Sequence, residues 1–323
     1  PPTDYPLWGY LDEIRVTKGT ALWLTAFTPP TRRNDNGPLV DLSGHDNAVN
    51  FATTAMTDVT TYRDGQVIEP IASATWDFDG TDDAISIKTD AFDIQYVQDQ
   101  LNKSLKALKT DYIDLYQMHW PPSDVTPLED YWGTLLELKT AGKVRALGLS
   151  NHSIAQLQAA EHLGHVDASQ PPFSAMRRGS GKEEIPWCYK NKTGVIVYST
   201  MQSGLLSGTF SKERVAQLPA DDWRSQSPRF RDEELRKGLD LADRLASIAV
   251  RYQATPGAIA IAWTLAWPGV TGAIVGARNA SQVDDWIQAG TLRITPADLN
   301  EIATAIDQLN IGSGPSRPSP IAD

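Results

Sequence analysis

Residues Asp111–Pro121, DYIDLYQMHWP, restrict the fold of this chain more than any other stretch. An apolar run with β-branched and aromatic residues ends on a polar pair and a proline. Just before it, Val97, Leu101, Leu105 and Leu108 recur at helical spacing within Tyr96–Leu108. An amphipathic helix followed by a buried strand is half of a βα repeat, and the chain goes on to repeat it. His119 stands where a parallel strand would run out, the end of the sheet at which α/β proteins bind ligands.

From about Gln95 the alternation is continuous. The pattern predicts strands over Tyr112–Met118, Val144–Leu149, Val166–Gln170, Gly194–Ser199 and Ala273–Val275. Helices are predicted over Pro127–Thr140, from Ser153, near Lys182–Asn191, over Phe230–Tyr252, from Pro256, and over Ala280–Ala289 and Pro296–Leu309. Gly142 suits the position just past a helix, and Thr255-Pro256 places proline at a first helical residue. The tail Gly312–Asp323 is mostly Gly, Pro and Ser, which predicts disorder.

Residues 1–94 have a different texture. Short alternating segments such as Asp12–Thr17 and Ala84–Ile87 are separated by turn signals at Asn36-Gly37, Ser43-Gly44, Asp64-Gly65 and Asp79-Gly80. That pattern predicts antiparallel β structure, part of a sandwich, with no helix of useful length.

Composition narrows the partners. The chain has 323 residues and a net charge of −11, from 29 Lys plus Arg against 40 Asp plus Glu. Such an acidic balance does not suit nucleic-acid phosphates. Apolar runs such as Val195–Val197 fall far short of the about 20 residues that span a bilayer. A single cysteine, Cys188, allows no intrachain disulfide and is expected to be inert. His45, His162 and His165 form no metal-ligand pattern, and Asp79–Asp83 reads as a turn, so no metal is expected.

Two resemblances give the pieces a family. Trp8–Thr31 resembles the closing segment of laminin-G/concanavalin-A-like lectin modules. Val40–Phe51 and Thr75–Ile87 resemble the opening segment of the same module. A closing segment before an opening one is the order found at the junction of two tandem modules. In residues 95–311, four segments resemble, in order, the C-terminal part of the aldo-keto reductases. They are SLKALKTDYIDLYQMHWP (Ser104–Pro121), GKVRALGLSN (Gly142–Asn151), VIVYSTMQSGLLSG (Val195–Gly208) and GAIVGARNASQVDD (Gly272–Asp285).

That family is a (β/α)8 barrel that reduces carbonyls with NADPH, so the resemblance implies an α/β fold. The expected architecture is a partial TIM barrel holding the family's fourth to eighth strands, behind a β-rich segment at 1–94. By resemblance, His119 orients and polarises the substrate carbonyl. Ser150, Asn151 and Gln170 would bond the nicotinamide carboxamide, and Tyr198 would stack on the ring. Ser199 and Met201 would line the pyrophosphate side, and Gly276 is carried over as a further cofactor contact. Arg278, Gln282 and Asp285, at i, i+4 and i+7, would meet the 2′-phosphate and adenine from one helix face.

The departures matter as much. The family's early strands bring an aspartate, a proton-donating tyrosine and a lysine, and residues 1–94 show no aspartate shortly before a Tyr-Gly pair. Tyr62, followed by Arg63 and Asp64, reads as part of a polar loop. His152 stands where an aromatic Phe or Tyr usually follows the Ser-Asn pair, and Thr209 where a phosphate-facing lysine is common.

Two functions stay open. One is an NADPH-dependent reductase of small aldehydes or ketones that binds cofactor but turns over poorly. The other is a glycan-binding or phage structural module in which the barrel segment is only scaffold. The reductase part implies the cytoplasm and the lectin-like part a surface or virion. The abrupt change near residue 94 reads as a fusion. Five barrel strands alone leave two open sheet edges, which predicts either self-association or a patch from residues 1–94. Plain readings compete at single residues as well: Ser150-Asn151 as a helix N-cap pair, and Arg278 with Asp285 as a solvated face.

Overall fold

The computed structural model describes residues 14–17, 20–21, 49–51, 58–63, 66–72, 94–108, 110–122, 126–277 and 280–321. In chain order its strands are β1 (Ile14–Thr17), β2 (Thr20–Ala21), β3 (Val49–Phe51), β4 (Asp58–Arg63) and β5 (Gln66–Ala72), then β6 (Ile113–Met118), β7 (Val144–Ser150), β8 (Ala168–Gln170), β9 (Gly194–Val197) and β10 (Val270–Val275). The helices are α1 (Ile94–Leu108), α2 (Leu128–Thr140), α3 (Ile154–Leu163), α4 (Glu184–Lys190), α5 (Lys212–Ala216), α6 (Asp232–Tyr252), α7 (Pro256–Leu265), α8 (Ala280–Asp284) and α9 (Pro296–Leu309).

Strands β6 to β10 lie side by side in sequence order, every pair parallel, with helices in the connections. This is an α/β fold with a parallel sheet, consistent with part of a (β/α)8 barrel. Beyond β10 the sheet continues with β1, which pairs antiparallel, Ile14 opposite Val275 and Thr17 opposite Gly272; β2 follows it. One of the two expected open edges is therefore patched by the N-terminal segment. Among the described residues no strand pairs with the far side of β6.

A separate antiparallel sheet holds β3, β4 and β5. Strands β4 and β5 pair antiparallel, Arg63 opposite Gln66 and Asp58 opposite Ala72. Tyr62 lies within β4, paired to Val49 and Val67, and not in a loop as expected. The turn signals at 36–37, 43–44, 64–65 and 79–83, and His45, fall outside the described residues.

The core sits between the parallel sheet and its helices. Leu147, Leu149, Val195, Val197, Ala273 and Val275 are buried, and α7 is buried on all sides. Phe173 packs between Trp263 and Trp267, with ring centroids at 5.7 and 5.0 Å. Helix starts follow their signals: Ser153 and Gln156 form a reciprocal capping box on α3, and Thr255 caps α7 ahead of Pro256. Gly142 takes the left-handed conformation (φ 74°) after α2.

Two expectations are corrected. The predicted helix Ala280–Ala289 is split into the five-residue α8 and a 3-10 turn at Ile287–Gly290. The tail does not behave as a free end through residue 321. Arg178, buried to 3% exposure, donates to the carbonyls of Ala175 (2.7 Å), Ile311 (2.8 Å) and Pro315 (3.0 Å), which fixes the tail against the loop after β8. A guanidinium carries five donors in a fixed fork, so one side chain can hold several carbonyls at once. Among the described residues no helix is long and apolar enough to cross a membrane.

Candidate functional site

The C-terminal ends of the parallel strands bring together most of the residues expected there. His119 follows β6, Ser150 ends β7 with Asn151 directly after it, Gln170 ends β8, and Tyr198 continues β9 through a parallel bridge to Pro172. The Tyr198 backbone N–H donates to Pro171 and its carbonyl accepts from Phe173, so the tyrosine is held on both sides.

Side chains join these positions into one network. Tyr198 Oη donates to Asn151 Oδ1 at 2.6 Å. Asn151 Nδ2 donates to the His119 carbonyl at 2.9 Å and to Ser150 Oγ at 3.1 Å, while Ser150 Oγ donates to the Gln170 carbonyl at 2.9 Å. Asn151 adopts φ 62°, a left-handed conformation that asparagine tolerates better than most residues. Ser153, not the Ser150-Asn151 pair, caps α3, so the plain N-cap reading of that pair does not hold.

Gln117 was not anticipated. It lies two residues before His119 on β6, hence on the same strand face. Gln170 Nε2 donates to its Oε1 at 3.2 Å. The two glutamines meet over Gly148 on the strand between them, where an added Cβ would come within 2.8 Å of Gln117 Cγ. Period-two spacing back from His119 could have found Gln117. The need for a glycine opposite it could not be read from either segment alone. Gln117 Nε2 is buried with no acceptor among the described residues.

Burial sets the charge states. His119 is half-buried, and desolvation lowers its pKa, which favours the neutral imidazole. His152 is buried, with Nδ1 at 2.8 Å from the Ser150 carbonyl and Nε2 at 3.0 Å from Tyr131 Oη. Desolvation takes its pKa from 6.5 down to about 4, the carbonyl opposing that fall. It thus fills with a hydrogen-bonded imidazole the place where the family resemblance leads one to expect Phe or Tyr. Burial raises the Tyr198 pKa, against the guanidiniums of Arg177 and Arg229.

After β9 the backbone turns through left-handed residues at Ser199 (φ 59°), Gln202 (φ 51°), Ser203 (φ 56°) and Gly204 (φ 91°). Ser199 and Met201 are half-buried on this turn, and Met201 Sδ would lie 3.0 Å from a Cβ placed at Gly257. Thr209 is exposed and bonded to Ser207 Oγ at 2.8 Å. Gly276 is exposed just past β10, and Arg278 lies outside the described residues. Gln282 is on α8, and Asp285 is exposed one residue past its end, with its backbone N–H bonded to the Ser281 carbonyl at 3.3 Å. Among the described residues no group of His, Cys, Asp and Glu could hold a metal, and Cys188 is buried with its pKa raised to about 12, chiefly by desolvation.

Comparison with known proteins agrees with this layout. The sequence profile described as the aldo/keto reductase family matches residues 50–307, a span that takes in part of the stretch assigned above to lectin-like modules. The chain is 31% identical over 212 residues to the aldo-keto reductase YhdN of Bacillus subtilis, covering 65% of this chain and 63% of the relative. It is 30% identical over 217 residues to the NADH-specific methylglyoxal reductase of Escherichia coli, covering 66% and 65%. The chain thus spans somewhat under two-thirds of the length of these relatives. The solved glycerol dehydrogenase of Gluconobacter oxydans superposes with a TM-score of 0.63 at 23% identity, covering 88% of this chain and 78% of that one. With a family match over most of its length and the strand-end residues gathered where a (β/α)8 barrel places its site, the chain belongs to the aldo/keto reductase family.

Proposed function

We propose that this chain binds a nicotinamide dinucleotide, NADPH by the sequence resemblance, and holds a small aldehyde or ketone against it, with slow turnover. The observation that carries this reading is the hydrogen-bonded cluster of Tyr198, Asn151, Ser150 and Gln170 beside His119. The residues fit such a cofactor. Gln117 Nε2 is a buried donor with no acceptor among the described residues, and with the neighbouring Gln170 amide it suits a carboxamide, which both donates and accepts. The N–H groups of Ser203 and Gly204 donate to no described backbone carbonyl, and a left-handed turn of this kind suits diphosphate oxygens.

Bound dinucleotide would supply the hydride. The chain's own residues do the rest: Tyr198 offers a ring face held at the strand end, and neutral His119 can donate a hydrogen bond to a carbonyl oxygen. A positioned general acid contributes about 10²–10⁴ in rate. Among the described side chains near His119, no tyrosine stands with a lysine to supply one. Slow turnover is the consequence. NADH deserves equal trial, since the Escherichia coli relative is named as NADH-specific.

The test is fluorescence titration with NADPH and with NADH, followed by oxidation of the bound form with a reactive aldehyde. Binding of one dinucleotide, weakened by Tyr198→Ala, with turnover near background is the expected result. No binding of either, or binding untouched by Tyr198→Ala, would overturn the cofactor reading. Brisk turnover would show a proton donor in residues 1–94, with Tyr62 the first to replace.

A further inference from the structure

Beside the strand-end cluster lies a cavity of about 440 Å³, within the range of small-molecule pockets. Its walls include Ile154 at the start of α3, Pro172 after β8, and Arg177, Lys182, Glu183 and Glu184 from the loop into α4. Pro172 bridges to Tyr198, so the cavity shares a wall with the proposed nicotinamide position.

The charges in this cavity are unevenly matched. Lys182 Nζ faces Glu183 at 3.8 Å. Glu184 accepts from Ser169 Oγ at 2.9 Å and is also bonded by Ser180, while burial raises its pKa. Arg177 is different. Its backbone is fixed by a tight turn, N–H to the Ser174 carbonyl and carbonyl from the Ser174 N–H, both at 3.0 Å. Among the described residues its guanidinium has no hydrogen-bond or ion-pair partner. Arg177 and Arg229 come from separate loops, yet both act electrostatically on the Tyr198 hydroxyl.

We propose that Arg177 receives the carboxylate of an acidic carbonyl compound bound in this cavity, with the carbonyl group directed toward His119 and Tyr198. A guanidinium fork takes a carboxylate in bidentate fashion, and a fork anchored by a rigid turn but lacking a protein partner is prepared for a ligand. The carboxylates already present do not compete, because Glu183 is turned to Lys182 and Glu184 to two serines. This inference rests on the carbonyl-reductase reading given above.

The test compares 4-carboxybenzaldehyde with benzaldehyde, which differ in the anionic group. Calorimetric affinities are measured first, so that the answer does not depend on turnover, and KM values follow where turnover allows. In the unaltered chain the acid binds more tightly, and the preference shrinks as salt is raised. Arg177→Ala lowers the acid-to-neutral affinity ratio about ten-fold, and Arg177→Lys lowers it less. Circular dichroism verifies that both variants fold. An unchanged ratio in Arg177→Ala overturns the proposal. So does a loss of NADPH affinity with the ratio unchanged, which would assign the guanidinium to the dinucleotide diphosphate. Acid preference without binding of either dinucleotide would leave this inference standing and count against the reductase reading alone.

Discussion

Tyr198 Oη and Asn151 Oδ1 lie 2.6 Å apart, which ties the end of β9 to the end of β7 across the intervening β8. Asn151 spends its amide protons on the His119 carbonyl and Ser150 Oγ, so one residue aligns three strand ends. Tyr198→Phe should cost about 1 kcal/mol of stability, the net worth of one hydrogen bond. Asn151→Ala should cost about 2–3 kcal/mol, because it removes the whole set and forces alanine to adopt φ 62°. A double-mutant cycle by urea unfolding should give a coupling of about 1 kcal/mol. Simple additivity would mean that the two side chains are not linked in solution.

Gly148→Ala tests the meeting of the two glutamines. The new Cβ would lie 2.8 Å from Gln117 Cγ and Nε2, and 2.9 Å from the Ala168 carbonyl. Side chain can yield there, but sheet backbone cannot, so the expected loss is about 2–3 kcal/mol. Combining it with Gln117→Ala should recover only part of that loss, since the Ala168 contact persists. Full recovery in thermal melts would show that the sheet shifts freely at β8.

The parts of this fold that were legible in the sequence are those decided by local physics. Alternating apolar helix faces and short buried runs located α2, α6, α9 and the five parallel strands, and Ser153 and Thr255 marked helix starts within one residue. Strand-end residues His119, Ser150, Asn151, Gln170 and Tyr198 were placed by motif, and the chain's parallel order brings them together. What was missed depends on partners distant in sequence. Nothing local to Gly148 announces Gln117, and the tail's Gly, Pro and Ser composition carries no trace of Arg178, more than 130 residues earlier. Helix α8 ends early although the sequence continues with helix-compatible residues. Its end coincides with Thr255 Oγ1 donating to the Asp285 carbonyl at 2.5 Å, a contact made by another helix's cap.

Arg178→Met should release that tail. The change leaves the carbonyls of Ala175, Ile311 and Pro315 without their donor in a buried place, at a cost of about 3 kcal/mol. Limited proteolysis should then cut between Gly312 and Ile321 well before it cuts the parallel sheet. Arg178→Lys, with fewer donors and no fork, should fall between the two. An unchanged cleavage pattern in Arg178→Met would mean that packing alone holds the tail.

Acid should destabilise the chain through His152. Its pKa falls from 6.5 in the unfolded chain to about 4 when folded, because burial disfavours the imidazolium. Between those values the unfolded state binds the proton and the folded state does not, so stability rises with pH. The contribution is fully present above pH 6.5 and is lost as pH falls toward 4, by about 3 kcal/mol at most. His119, whose pKa also falls through desolvation, slopes the same way. His152→Gln removes the titration and keeps an amide able to meet the Ser150 carbonyl and Tyr131 Oη. Its unfolding free energy should therefore change less between pH 7 and pH 4.5 than that of the unaltered chain. An equal change in unfolding free energy for both chains, from urea unfolding at the two pH values, would show that His152 takes up its proton in the folded state without resistance.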